Sequence, residues 1–185
     1  IPIQISDTVA RGTVKPTYPV FQYRHTAAEG GDAIANGFVY RGKLVPALRD
    51  KLVFGDITTG RVWFASLADV LAADDGNAMT VAPIHEMDAG LRGLTENTYR
   101  ARGGKGQALP GVGAISGRGR VDLRFAVDNQ GELYILTKSD GMIRKVVGAR
   151  ATTAPARTAS PSAARASQDL GNQPAANLRN PIAST

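Results

Sequence analysis

The chain has 185 residues, 43% of them hydrophobic, with 21 glycines, 10 prolines, no cysteine and a formal net charge of +6. That length holds one domain with a tail, the glycine and proline content asks for many turns between short strands, and the missing cysteine excludes disulfides, thiol nucleophiles and cysteine-zinc sites. Arg150, Arg157, Arg165 and Arg179 against Asp169 put half of the charge excess beyond Gly148, so the remainder is weakly basic and no nucleic-acid partner is expected.

Residues 1–16 are broken by Pro2, Gly12 and Pro16 and read as an irregular lead-in. The chain opens on Ile1-Pro2-Ile3 without an initiator Met, so the lack of a leader pattern carries no information. Residues 17–23 read as a short strand, 24–32 as a loop with paired glycines, and 33–41 (AIANGFVYR) as a strand rich in β-branched and aromatic residues. After a turn at 42–50, residues 52–56 and 61–65 form a predicted hairpin closed by Thr58-Thr59-Gly60. Ser66-Leu67-Ala68-Asp69 has the form of a capping box that opens a short helix to about residue 73. Residues 80–85 read as another strand. Residues 86–120 lose periodicity and become rich in glycine and arginine; a long loop is expected there, with one short helix at 91–99. Order returns with strands at 121–128, 132–138 and 142–147, joined by turns at Asn129-Gln130-Gly131 and Ser139-Asp140-Gly141. Residues 149–185 contain no aromatic residue and little else that could form a core, so a disordered low-complexity tail is expected. No apolar run approaches the roughly 18 residues of a membrane span.

An internal repeat stands out. LVFGDITTGRVWFA, from Leu52, aligns with LYILTKSDGMIRKV, from Leu133, pairing Leu52 with Leu133, Phe54 with Ile135, Gly60 with Gly141 and Val62 with Ile143. Each copy is a strand, a glycine-closed polar turn and a strand. Such units suit the blades of a β-propeller, and also two separate hairpins of one sandwich.

Three blocks carry a more specific resemblance. The first is Tyr23-x-His25 followed by Ala33-Ile34-x-x-Gly37-x-Val39-Tyr40-Arg41-Gly42. The second is Leu52-Val53-Phe54-Gly55-Asp56-x-x-x-Gly60-x-Val62-Trp63. The third is Asp128-x-x-Gly131-Glu132-Leu133-Tyr134-Ile135-Leu136 with Ser139-Asp140-Gly141-x-Ile143. In content and order they resemble the C-terminal portion of the glucose/sorbosone dehydrogenase family, with Asn36 where that family often has the first of two glycines.

The resemblance implies an all-β fold, the last two blades of a six-bladed propeller. Residues 17–85 would be one blade with a short helix, 86–120 a Gly/Arg-rich insertion, and 121–148 the last-blade strands. It further implies the C-terminal fragment of an exported, periplasmic or secreted protein. That protein would oxidise a sugar hydroxyl or aldehyde with pyrroloquinoline quinone, with calcium in the longer protein and the rest of the propeller as partner. The family's catalytic base lies in an early blade, so no base is carried over and this segment alone is expected to be inactive. A non-catalytic propeller that binds a carbohydrate or a protein is the alternative.

Within that frame three residues are candidates for holding the cofactor. His25 lies in the loop before an expected inner strand, where a propeller would aim it at the channel mouth and its imidazole could bind a cofactor or substrate oxygen; a surface or hydrogen-bonding histidine is the alternative. Arg41 ends a strand after Tyr40 and could clamp a quinone carboxylate, or form an inter-strand ion pair. Asp56 stands at the mouth of the first hairpin, where a carboxylate also commonly caps a turn. His85-Glu86-x-Asp88 lacks a second histidine at helical spacing, and Asp128–Glu132 is too short for a calcium loop, so neither is read as a metal site. Gly103-Gly104-Lys105-Gly106 does not fit phosphate-loop spacing. Arg100, Arg102, Lys105, Arg118 and Arg120 are read as cations of a solvated loop.

Overall fold

The computed structural model describes residues 17–149 together with 2–3, 7–8 and 12–13. The expected tail lies outside the described residues from position 150 onward. Among the described residues the molecule is mostly β, its strands forming four antiparallel sheets.

A two-residue ladder joins β1 (Pro2–Ile3) to β2 (Gly12–Thr13). A four-stranded sheet follows, with β3 (Ile34–Val39), β4 (Lys51–Asp56), β5 (Val62–Ser66) and β6 (His85–Met87) hydrogen-bonded in chain order. The β3–β4 connection contains a single 3-10 turn at Pro46–Leu48. The β5–β6 connection contains helix α1 (Leu67–Ala72). Helix α2 (Leu91–Ala101) and a minimal hairpin, β7 (Val112–Gly113) with β8 (Gly117–Arg118), lie between the large sheets. The last sheet is a three-stranded meander of β9 (Leu123–Val127), β10 (Leu133–Thr137) and β11 (Met142–Lys145).

The two meanders repeat one another in register as well as in sequence. Gly55 faces Val62, Phe54 faces Trp63 and Val53 faces Phe64 across β4 and β5. At an offset of 81, Leu136 faces Ile143, Ile135 faces Arg144 and Tyr134 faces Lys145 across β10 and β11. The turns match too. Gly60 (φ 77°) and Gly141 (φ 68°) hold the left-handed position of the hairpins, and Asp50 (φ 57°) and Gly131 (φ 79°) hold it just before the second strand of each sheet. The first strands continue the correspondence, because Gly37 faces Phe54 as Phe125 faces Ile135.

Alternation along the strands decides the packing. Val53 and Val62 point to one face of the four-stranded sheet and meet Leu123, Phe125, Leu133 and Ile135 of the second sheet in the larger core. Phe54, Trp63 and Ala65 point to the opposite face and, with Ile84, form a second core covered by Phe21 and Tyr23. Tyr23 stacks on Trp63 at 4.8 Å and Phe21 sits 4.5 Å from Phe54, ring centre to ring centre. Burial of each such aromatic contributes on the order of 2–3 kcal/mol. The sheets therefore stack head to tail: the second uses the face of Leu133 and Ile135, and the equivalent residues of the first, Leu52 and Phe54, look the other way.

Four expectations are corrected. Residues 17–23 form no strand. They lie over the Phe54–Trp63 face with a bend at Val20; Phe21 and Tyr23 cover that face, and the Val20 carbonyl accepts Ala82 N–H at 2.8 Å. The strand expected at 80–85 begins only at His85, because residues 80–84 have no ladder partner and Ile84 is held by the aromatic core instead. Ser66 makes no capping hydrogen bond to α1, being the last residue of β5 and paired with Lys51. The 86–120 segment is far from structureless: α2 runs past its expected end, Leu109 is buried, and Arg92 Nη2 donates to the Gly119 carbonyl at 3.0 Å.

Candidate functional site

The end of the sheets carrying the β4–β5 turn gathers the loop before β3, the turn itself and the β7–β8 tip. Asp56, last residue of β4, is fully buried. Its Oδ2 accepts Ala33 N–H at 2.7 Å and Tyr23 O–H at 3.2 Å. Its Oδ1 accepts the N–H groups of Thr58 and Thr59 at 3.0 and 2.8 Å and the Thr59 hydroxyl at 2.8 Å. Burial pushes this carboxyl up, but the hydrogen bonds from Thr59, Ala33 and Thr58 outweigh it and hold it below the usual carboxylate range.

A second carboxylate, Asp32, faces Asp56 across a single hydroxyl. Thr58 Oγ1 lies 2.5 Å from Asp32 Oδ2 and 2.9 Å from Asp56 Oδ1. Asp32 also accepts Ser116 O–H at 2.6 Å, Ser116 N–H at 3.2 Å and Ile115 N–H, so it clasps the β7–β8 tip from 84 residues away in sequence. Burial acts upward on Asp32 as well, and the bonds from Ser116, Thr58 and Ile115 hold it well below the ordinary range. Both carboxylates therefore stay ionised near neutrality, and their oxygens are taken up by donors of the β4–β5 turn, the loop before β3 and the β7–β8 tip, so that the pair acts as a clasp between these loops. Gly31 fits under it closely, since a Cβ there would lie 2.2 Å from Asp56 Oδ2.

The three sequence candidates do not converge. His25 lies at the clasp end, exposed, with Nε2 2.7 Å from the Asp32 carbonyl oxygen; a carbonyl only accepts, so Nε2 bears hydrogen and Nδ1 is the atom left for a ligand. Asp56 is at the same end, but its oxygens are buried and fully engaged. Arg41 is at the opposite end: β3 starts opposite Asp56 and ends opposite Leu52, and six strand residues span roughly 17–20 Å. There the exposed Arg41 guanidinium pairs with Asp50. These residues do not fit a shared anionic quinone, because one is a sealed carboxylate and the only guanidinium is a strand length away. Among the described residues no group of three or more His, Asp or Glu is placed to hold a metal ion. His85 stacks on Phe64 and Glu86 pairs with Arg61 at 3.2 Å.

Sequence reasoning missed the residues that join the sheets. Asn36 Nδ2 donates to the Phe125 carbonyl at 2.7 Å and its Oδ1 accepts Phe125 N–H at 2.9 Å, a two-way bridge between β3 and β9. An asparagine inside a strand-forming run was the available signal, because strands disfavour it. Buried Glu132 accepts Tyr40 O–H at 2.6 Å and the N–H groups of Lys43 and Leu44 at 2.7 and 3.2 Å, tying the β3–β4 loop to the second sheet. Burial of the Tyr40 hydroxyl and its bond to Glu132 push that phenol up.

No family model, curated protein or solved structure matches the chain. No helix among the described residues is long and apolar enough to cross a membrane.

Proposed function

We propose that the two sheets are adjoining blades of a six-bladed β-propeller, and that the whole ring is an exported sugar dehydrogenase of the glucose/sorbosone type. Its substrate is a sugar hydroxyl or aldehyde, and its cofactor, by resemblance, is pyrroloquinoline quinone. This segment contributes wall and end loops; the base and the cofactor's anchors belong to other blades.

One observation carries the reading. Two meanders share a hairpin register at an 81-residue offset, stack head to tail, and lie with their first strands side by side through Asn36. A head-to-tail contact repeated by rotation closes into a ring, and the strands nearest the axis are then the first of each unit. The sequence blocks around His25, Asp56 and Gly131 supply the dehydrogenase part of the proposal.

The test is reconstitution. Mixed with pyrroloquinoline quinone, calcium and glucose, the chain alone gives no dye reduction. Joined to the reading frame that precedes it, the longer protein reduces dye only when both sugar and quinone are present. Turnover by the chain alone refutes the incomplete site, and a longer protein inert with every aldose removes the enzyme.

The engagement of Asp56 and Arg41 in their own turns favours a second reading, a propeller that binds a carbohydrate or protein without catalysis. Calorimetric binding of a sugar by the longer protein, unchanged by quinone and without turnover, selects it.

A further inference from the structure

Asn36-Gly37 is the chain's only Asn-Gly pair. An asparagine side-chain amide lies one ring closure away from the next backbone nitrogen, and a following glycine, without a Cβ, hinders that closure least. Both residues are fixed by contacts that leave no substitute. The Phe125 N–H and carbonyl need a partner that both accepts and donates, which Asn36 Oδ1 and Nδ2 supply at 2.9 and 2.7 Å. A Cβ on Gly37 would lie 2.7 Å from the Val53 carbonyl oxygen and 2.8 Å from Phe54 Cβ, so the pressed β3–β4 contact admits no side chain there. Asn36 is exposed, and water therefore reaches the pair. What restrains it is geometry. Phe125 pins both ends of the amide, and a strand side chain stands away from the backbone instead of folding back on the next nitrogen.

We propose that Asn36-Gly37 is a self-modification site that the contact between the two sheets keeps closed. When that contact opens, the Gly37 backbone nitrogen gives up its proton and bonds to Asn36 Cγ. The Cγ–Nδ2 bond breaks, and Nδ2 leaves as ammonia with that proton. The resulting cyclic imide takes up a water molecule, which opens it at either carbonyl to an aspartate or an isoaspartate at position 36. Nothing is oxidised or reduced. Either product sets a carboxylate against the Phe125 carbonyl, which needs a donor, and isoaspartate also adds a carbon to the β3 backbone. The bridge cannot re-form, so a transient opening leaves a permanent mark. The rate is set by how often the sheet contact opens, a local stability and not a property of the dipeptide alone. The site stands on the Asn36–Phe125 contact and on neither the ring nor the dehydrogenase.

The test holds the whole chain in mildly alkaline buffer, native or unfolded in guanidinium chloride, and follows acid formation at position 36 by peptide mapping with mass spectrometry. The unfolded chain is modified several-fold faster than the native one. Asn36→Gln, which would have to close a larger ring, removes most of the signal from that peptide in the unfolded arm. Leu133→Ala hollows the core between the sheets and speeds modification in native buffer, whether the variant folds weakly or not at all. Chain modified while unfolded and then returned to native buffer has a lower urea midpoint, read from Trp63 fluorescence, than unmodified chain treated alike. Equal rates in native and unfolded chains overturn the proposal, as does a Leu133→Ala variant modified no faster than the parent. An unchanged midpoint after modification overturns the permanent mark.

Discussion

Asp56 and Asn36 each settle a long-range problem with one short polar side chain. Asp56 satisfies the backbone of its own turn, the loop before β3 and the Tyr23 hydroxyl at once, inside a site without water access. Asp56→Asn keeps the shape but sets an amide against donors, so it should destabilise by about 2–4 kcal/mol, the range for a buried charged network left unsatisfied. The chain's single tryptophan, Trp63, is buried under Tyr23, so its fluorescence reports the shift of the urea midpoint. A loss below about 1 kcal/mol would mean that the clasp adapts. Asn36→Ala strands the Phe125 N–H and carbonyl between the sheets and should cost about 1–3 kcal/mol. Asn36→Asp keeps the acceptor alone and should be no better, because the Phe125 carbonyl then faces a carboxylate. Of these two residues the chain text marked only Asp56, through the local pattern Asp56-x-Thr58-Thr59-Gly60. Its partner Asp32 left no trace, since its main contacts lie 26 and 84 residues away.

The hairpins allow a comparison within one molecule at the level of the element. Gly60 and Gly141 occupy the same turn position with the same sign of φ, yet their surroundings differ. A Cβ on Gly60 would lie 2.8 Å from the Val121 side chain, whereas Gly141 faces open space. Gly141→Ala should therefore cost only the left-handed backbone strain, about 1 kcal/mol, and Gly60→Ala clearly more, about 2–3 kcal/mol with the clash added. Differential scanning calorimetry of both variants decides it; equal losses would show that Val121 yields freely. Period-two alternation and glycine-closed turns made these strands legible beforehand. Residues 17–23 carried the same aromatic composition and yet form no strand, because composition reports burial and not whether a neighbour's N–H and C=O are within reach. The β7–β8 hairpin escaped notice for the opposite reason: two-residue strands have no period to detect, and its tip is held by Asp32.

For the whole molecule, acid is the informative stress. Asp32, Asp56 and Asp140 are each pushed up by burial and held lower still by their hydrogen bonds, those of Asp140 coming from Arg144 and Thr137. A carboxylate lowered in the folded state adds stability above its unfolded pKa of about 4, and that stability is lost as pH falls through the folded value. The urea midpoint should accordingly be level between about pH 8 and 5 and fall below about pH 4, with a shallower fall in Asp56→Asn. A midpoint that rises on acidification would contradict the sign.

What the amino-acid sequence determined by itself was local: an all-β chain, the two hairpins and their equivalence, the α2 position, the absence of thiol chemistry. Alternation and turn residues act over a few positions and are written in order along the chain. Only the tertiary structure decided which face of each sheet meets the other, that Asp56 is sealed from any ligand, and that Arg41 stands a strand length from His25. Those outcomes depend on side chains tens of residues apart competing for the same buried donors and the same apolar surface, and no short window of sequence encodes such a competition.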